Sequence, residues 1–330
     1  MAHLSLLQGT KVAGGAIRNY ITKRPIVVSY EVTLSCNCNC RHCDLGGIVK
    51  DEKRIEPHEY REITQRLKPL AAQISGGEPL LRKDIAAIVK AIKQGGVQYI
   101  ILVTNGVLLN ESNYLHLREA GVNQFSVSLD FPDERHDEFR RRPGLYKRLE
   151  QTLPQLAKLG FRDIILNTAI TSANVREILP LARRAIEWGV DISYSAYTAL
   201  RTGNGDYCLN NEDDLEFLRQ AINELIILRK HGIHLTNPEL TLRDTLKFFE
   251  KGHMPNCKAG MRFLVVMPDG SLVPCSLHRC KYATREEMIE NFSKTNPCDN
   301  CYVAIRSYSE MSFLSHAKNL PTYLRQMIFH

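Results

Sequence analysis

Pro25-Ile26-Val27-Val28-Ser29-Tyr30-Glu31-Val32-Thr33 leads directly into Leu34-Ser35-Cys36-Asn37-Cys38-Asn39-Cys40-Arg41-His42-Cys43. The first nine residues are rich in β-branched side chains and read as a strand. The rest is a cysteine loop with the spacing C-x3-C-x2-C across Cys36, Cys40 and Cys43. Three thiolates can hold three irons of a 4Fe-4S cube and leave the fourth iron open to another ligand, whereas structural zinc sites and ferredoxin clusters normally take four protein ligands. Zinc stays open as an alternative, with Cys38 or His42 bending back as the fourth ligand.

Outward from this loop, β-branched runs alternate with amphipathic stretches. Strands are expected at 26–33, 72–75, 99–104, 124–129, 164–170 and 192–197, and helices at 84–94, 111–120, 146–159, 175–188 and 212–230. Such alternation specifies βα units and a parallel sheet. The fold class is therefore α/β, either a partial (β/α)6 barrel or a doubly wound open sheet; periodicity does not separate the two. In both, ligands gather at the carboxyl ends of the strands. Past residue 231 the alternation stops, and Phe263 to Cys275 reads as a hairpin turning at Asp269-Gly270. Three segments are expected: an amphipathic stretch at 1–24, which covers the barrel base or rests on a membrane, a barrel at 25–231, and a separate module at 232–330.

The cysteine loop resembles that of the radical SAM superfamily, in which S-adenosylmethionine (SAM) completes the coordination of the open iron. Ser75-Gly76-Gly77-Glu78-Pro79 after the second strand is similar to the family's GGE motif, so Gly76, Gly77 and Glu78 are expected to bind the methionine amino group. His42 stands where the family commonly has an aromatic that packs on the cofactor. Thr104-Asn105-Gly106 and Ser126 to Asp130 resemble family motifs at the third and fourth strand ends. The resemblance implies cofactor contacts from Ser128, Asp130 and Asn167, with Thr168 beside them; otherwise these are caps, turn residues and satisfied core polar groups. Tyr194, Tyr197 and Arg201 are expected at the substrate mouth.

A second cysteine set follows, and it resembles the family's auxiliary-cluster modules, the short twitch form more than the SPASM form. Cys257, Cys275, Cys298 and Cys301 would hold a second 4Fe-4S cluster; a four-thiolate zinc site has the same local spacing. Cys38, Cys208 and Cys280 have no assigned role.

The resemblance implies reductive cleavage of SAM to a 5'-deoxyadenosyl radical that abstracts hydrogen from a substrate. A small metabolite undergoing oxidation is the leading expectation, with the second cluster relaying electrons and a flavodoxin or ferredoxin as one-electron donor. A peptide-modifying maturase, radical C–C bond formation on a lipid or isoprenoid, and a noncatalytic iron-sulfur or zinc scaffold are the alternatives.

Composition bounds the rest. The chain has 330 residues, 44% of them hydrophobic, ten cysteines and a formal charge of +7. No apolar run approaches the ~18 residues of a membrane span, and no clean signal-peptide core opens the chain, so a cytoplasmic protein is expected. Basic and aromatic residues are not interleaved, which argues against nucleic acid as a partner. The run Arg140-Arg141-Arg142 reads as a solvated helix end.

Overall fold

The structure, a computed structural model, describes residues 6–230 and 235–310. Six strands, β1 (Val27–Thr33), β2 (Ala71–Gly76), β3 (Tyr99–Thr104), β4 (Gln124–Ser128), β5 (Ile164–Ile170) and β6 (Asp191–Ala196), pair in parallel and in chain order. Helices cross between them at Pro57–Leu67, Ile85–Gln94, Glu111–Ala120, Leu145–Ala157 and Ile178–Trp188. Each expected strand forms within one or two residues of its expected bounds. The helix Pro57–Leu67 had no counterpart in the periodicity reading, because its exposed face carries Glu59, Arg61, Glu62 and Arg66 and leaves few apolar positions to count. Its start is set instead by proline at the first turn and a capping box between Glu56 and Glu59.

Period-2 alternation divides each strand between two faces. Val28, Tyr30, Ala72, Ile74, Ile100, Leu102, Phe125, Val127, Leu166 and Ile192 are fully buried. This is the helix-covered face: Tyr30 Oη lies 2.7 Å from Thr64 Oγ1, and Tyr194 Oη donates to the Ile178 carbonyl at 2.6 Å. Complete burial of each large aliphatic side chain here is worth about 1.5–3 kcal/mol. The opposite face holds smaller and polar residues in lateral register: Glu31 beside Ser75, Ser128 beside Asn167, and Asn167 beside Ser193. Small polar groups leave the concave interior open at its carboxyl end.

The sheet runs β6-β5-β4-β3-β2-β1 and continues into two further strands, β7 (Phe263–Val266) and β8 (Leu272–Val273). They form the expected hairpin, whose turn at Asp269-Gly270 is closed by Asp269 Oδ1 accepting from the Ser271 N–H at 3.1 Å, with Gly270 at φ +82. The hairpin continues the same sheet as β1 to β6. β7 pairs in parallel with β1 from Val27↔Phe263 to Tyr30↔Val266, because the continuous apolar run Phe263–Val266 is suited to burial on both faces. The following segment reaches back to the other edge, where Thr198 Oγ1 donates to the Asn300 carbonyl at 2.8 Å. It thus spans the opening between β6 and β1. The boundary expected at 231 lies outside the described residues.

The N-terminal helix Leu6–Ile21 lies at the amino ends of the strands. Asn19, fully buried, donates to the carbonyls of Pro25 and Lys68 at 2.8 and 2.9 Å, and a Cβ on Gly15 would stand 2.7 Å from Leu70 Cδ1. The helix covers the barrel base, while Ile17, Tyr20 and Ile21 stay exposed. No described helix is long and apolar enough to cross a membrane.

Candidate functional site

The cysteine loop leaves β1 and is closed by its own returning segment. Cys36 N–H donates to the Gly47 carbonyl at 2.9 Å, Val49 N–H to Ser35 Oγ at 3.0 Å, and Thr33 Oγ1 to Glu52 at 2.6 Å. Against this loop lies the end of β2. Gly77 N–H donates to the Thr33 carbonyl at 2.7 Å and Glu78 N–H to the Ser35 carbonyl at 2.9 Å. A Cβ on Gly76, at φ +118, would stand 2.2 Å from Thr33 O, and one on Gly77 would stand 2.0 Å from Ser35 O. Two glycines are therefore demanded by the approach of two backbones, whatever ligand they also meet.

Together these segments line a cavity of about 130 Å³ with Cys36, Cys38, Cys40, His42 and Cys43 on one side and Ser75, Gly76, Gly77, Thr104, Asn105, Ser128 and Arg140 around the rest. The Asn105 amide lies 3.7 Å from Cys36 Sγ and an Arg140 guanidinium nitrogen 3.7 Å from Cys40 Sγ. The Cys38 thiol hydrogen-bonds to the sulfurs of Cys36 and Cys40, which chiefly holds those two down to about 7. The structure thus brings Cys38, unassigned by spacing, into the same cluster of thiols. Among the described residues no three Cys, His, Asp or Glu side chains are set as one metal ion requires. The thiols of Cys36, Cys38, Cys40 and Cys43 border the cavity.

His42 is stacked on Phe139, with ring centroids 4.6 Å apart and planes 8° apart, and burial pushes its imidazole down to about 4. It is neutral at pH 7. Glu78 does not line the cavity. Its carboxylate is fully buried and accepts from Leu80 N–H at 3.0 Å, Thr104 Oγ1 at 2.8 Å and Asn105 N–H at 2.7 Å, which ties the end of β2 to the end of β3. Burial raises it to about 7 against those three donors. Asp130 is likewise enclosed and off the cavity surface. Its Oδ2 takes Arg140 Nε at 2.6 Å, with His136 Nδ1 at 3.6 Å. Burial pushes the Asp130 carboxyl up, but Arg140 and the nearby histidines outweigh it and the group is held below its usual range.

Arg140 is the residue that sequence reasoning missed. The expected solvated helix end is correct for Arg141 and Arg142, but Arg140 is buried because Asp130 and Cys40 draw it inward. An acidic strand end ten residues before a basic run was the available signal. Asn167 stands beside Ser128 on the open face, whereas Thr168 is turned away and donates to the Leu129 carbonyl at 2.6 Å. Tyr194 is not at the mouth: it ends among the helices, one residue out of phase with the inner face. Tyr197 meets the edge of His42 at 6.4 Å between centroids, and Arg201 Nε lies 2.6 Å from Asp44.

The second cysteine set also converges. Cys257 and Cys298 share a thiol hydrogen bond, and Cys275 lies within electrostatic reach of Cys298 and Cys301. His278 Nε2 is 3.4 Å from Cys298 Sγ. The segment is held by Arg306, a fully buried side chain that donates to the carbonyls of Cys301, Met254 and Pro255 at 2.6–2.8 Å and pairs with Glu310. Cys280 is exposed.

Residues 30–185 match the radical SAM superfamily model. An AdoMet-dependent heme synthase of Methanosarcina barkeri (strain Fusaro / DSM 804) is 34% identical over 195 residues, 56% of this chain and 54% of that protein. A probable GTP 3',8-cyclase of Methanothermobacter thermautotrophicus is 25% identical over 286 residues, 81% of this chain and 90% of that protein. The chain spans about half the length of the curated heme synthases it matches. Among solved structures, Streptococcus suis SuiB bound to precursor peptide SuiA has a TM-score of 0.62 at 18% identity, covering 97% of this chain and 71% of that one. At that identity the likeness is one of fold: a parallel-stranded partial barrel.

Proposed function

Because the chain carries a radical SAM domain over residues 30–185, we propose that it is a radical SAM enzyme acting on a small-molecule substrate, with a second iron-sulfur cluster serving a net oxidation. Cys36, Cys40 and Cys43 would hold the first 4Fe-4S cluster, and Cys257, Cys275, Cys298 and Cys301 the second. Bound together, the first cluster and SAM supply one-electron cleavage of the sulfonium, which starts hydrogen abstraction, and the second cluster supplies an acceptor for the remaining electron.

The observation that carries this reading is the shared cavity, in which three correctly spaced thiols face the glycine-pair backbone and the polar strand ends. Every other contribution belongs to the protein's own groups. Asn105 and Arg140 place donors beside Cys36 and Cys40 and favour their thiolate forms. Asp130 orients Arg140, and Glu78 locks the ends of β2 and β3 into one wall. Neutral His42 and Phe139 give that wall an apolar stacking surface. Gly76 and Gly77 offer their backbone to the methionine amino group, and Ser128 and Asn167 offer polar side chains to the rest of SAM. A flavodoxin or ferredoxin is the fitting one-electron donor. The exposed apolar residues of the N-terminal helix lie at the base, away from the cavity, so any membrane contact there would not deliver a lipid to the mouth.

Anaerobic reconstitution tests the assignment. The protein is expected to bind about eight irons, and the joint replacement Cys36→Ala, Cys40→Ala and Cys43→Ala to leave about four. One tightly held zinc per chain in place of iron would overturn it.

A further inference from the structure

Glu31 lies on the inner face of β1, only 2% exposed, in register with Ser75 at the cavity wall. Its Oε2 is buried without a hydrogen-bond partner. Two guanidinium groups from distant parts of the chain reach it loosely. Arg201, in the segment after β6, has Nη1 3.9 Å from Glu31 Oε1, and Arg279, between Cys275 and Cys280, has Nη2 3.7 Å from Oε2. Both separations exceed the 2.7–3.2 Å of a formed hydrogen bond. Arg201 Nη2, Arg279 Nε and Arg279 Nη2 are buried and have no hydrogen-bond partner. The side chains as a whole are 16% exposed for Arg201 and 33% for Arg279, so solvent reaches the site while these inner donor atoms stay unsatisfied, and an anion entering from that open side would complete them.

The position narrows that ligand. β1 and β6 lie at opposite sides of the open barrel, and Arg279 comes from the segment that spans the gap between them. The two guanidinium groups therefore stand over the barrel mouth, between the two cysteine sets, and Arg201 is also tied to the cysteine loop through Asp44. Planar guanidinium forks match the two coplanar oxygens of a carboxylate or two oxygens of a phosphate, and matching a neutral hydroxyl would leave donors unused. We propose that Arg201 and Arg279 form an oxyanion site that binds a carboxylate or phosphate group of the substrate, with Glu31 as the internal acceptor that this group displaces. The proposal rests on the reading of the barrel mouth as the substrate site and adds the substrate's chemical class.

The test uses reconstituted holoprotein and two probes, succinate and inorganic phosphate, titrated by calorimetry against sodium chloride at matched ionic strength. At least one probe should bind above the chloride control; succinate alone assigns a carboxylate, phosphate alone a phosphate, and both an undiscriminating oxyanion site. Arg201→Gln and Arg279→Gln should each weaken binding about tenfold or more, and Arg279→Lys should fall between because charge survives but the fork does not. Glu31→Gln should tighten binding, since it removes the competing carboxylate; a misfolded variant would not gain affinity. Arg142→Gln, at an exposed position, should match the parent. The proposal is overturned if neither probe exceeds chloride in the parent, if both arginine variants bind as the parent does, or if Glu31→Gln weakens binding. These titrations need no turnover. Failure of the parent to cleave SAM would count against the enzyme reading and leave the oxyanion site standing, and the reverse result would do the opposite.

Discussion

Replacing Arg140 with glutamine should damage folding and the cysteine loop together. Arg140 and Asp130 form a buried pair, Nε to Oδ2 at 2.6 Å, and the other basic groups that act on that carboxylate are His136, at 3.6 Å, and His42. Burial pushes His136 down to about 3 and His42 down to about 4, so both are neutral at pH 7 and leave Asp130 uncompensated in the variant. Removing one partner of a buried pair costs about 3–5 kcal/mol. Asp130→Asn removes the other charge and should cost a similar amount. The double variant should cost less than the two added, with a coupling of about 1–3 kcal/mol, because neither charge is then left alone. Asp130 is held below its usual range in the fold, so its stabilising contribution is present above the unfolded carboxyl value and is lost as pH falls through the lower folded value. Urea unfolding of the four metal-free proteins at pH 7 measures the cycle, and iron content after reconstitution reads the effect of withdrawing the cation 3.7 Å from Cys40 Sγ. A loss below 1 kcal/mol for Arg140→Gln, with full iron content, would refute the argued role of the pair.

Other consequences can be checked in the same way. Burial raises Glu78 to about 7, so the native state should hold its proton longer than the unfolded chain does and stability should fall by on the order of 3 kcal/mol as pH rises from 4.5 to 7. Glu78→Gln should abolish that slope in urea titrations, while the loss of an acceptor for the N–H of Asn105 lowers stability throughout. Gly77→Ala would place a methyl 2.0 Å from Ser35 O, a backbone atom, and should cost about 1–3 kcal/mol or more and lower iron content, whereas alanine at Gly47, where φ is +74 but nothing stands within 4 Å, should cost less. Cys280→Ser should keep all the iron and Cys298→Ala should lose about four atoms per chain, as elemental analysis would report.

The barrel was legible because each strand is a short β-branched run ended by a turn or polar group, and because the helices after β2 to β5 have broad apolar faces. The helix Pro57–Leu67 was not legible by periodicity: its evidence lies in a capping box and a first-turn proline. The meeting of Cys36, Cys40 and Cys43 at one cavity was legible from their spacing, yet the supports behind them depend on pairs that meet only in the fold. Arg140 is ten residues from Asp130 and a hundred from Cys40, and the bland reading of an arginine run was correct for two of its three members. Tyr194 shows the opposite error, since proximity to the end of a strand says nothing about the face on which a side chain emerges. Arg279 lies in a loop with no periodicity, and its meeting with Glu31 follows from the parallel pairing of β7 with β1, which the sequence pattern did not reveal.

The most direct measurement is formation of 5'-deoxyadenosine by the anaerobically reconstituted protein with SAM and dithionite. The account predicts that the parent forms it and that Cys43→Ala, which takes away one of the three loop ligands, does not. A parent protein that carries its full iron and forms none, or a Cys43→Ala variant that forms as much as the parent, would contradict the assignment of Cys36, Cys40 and Cys43 to a cluster that opens one iron to SAM.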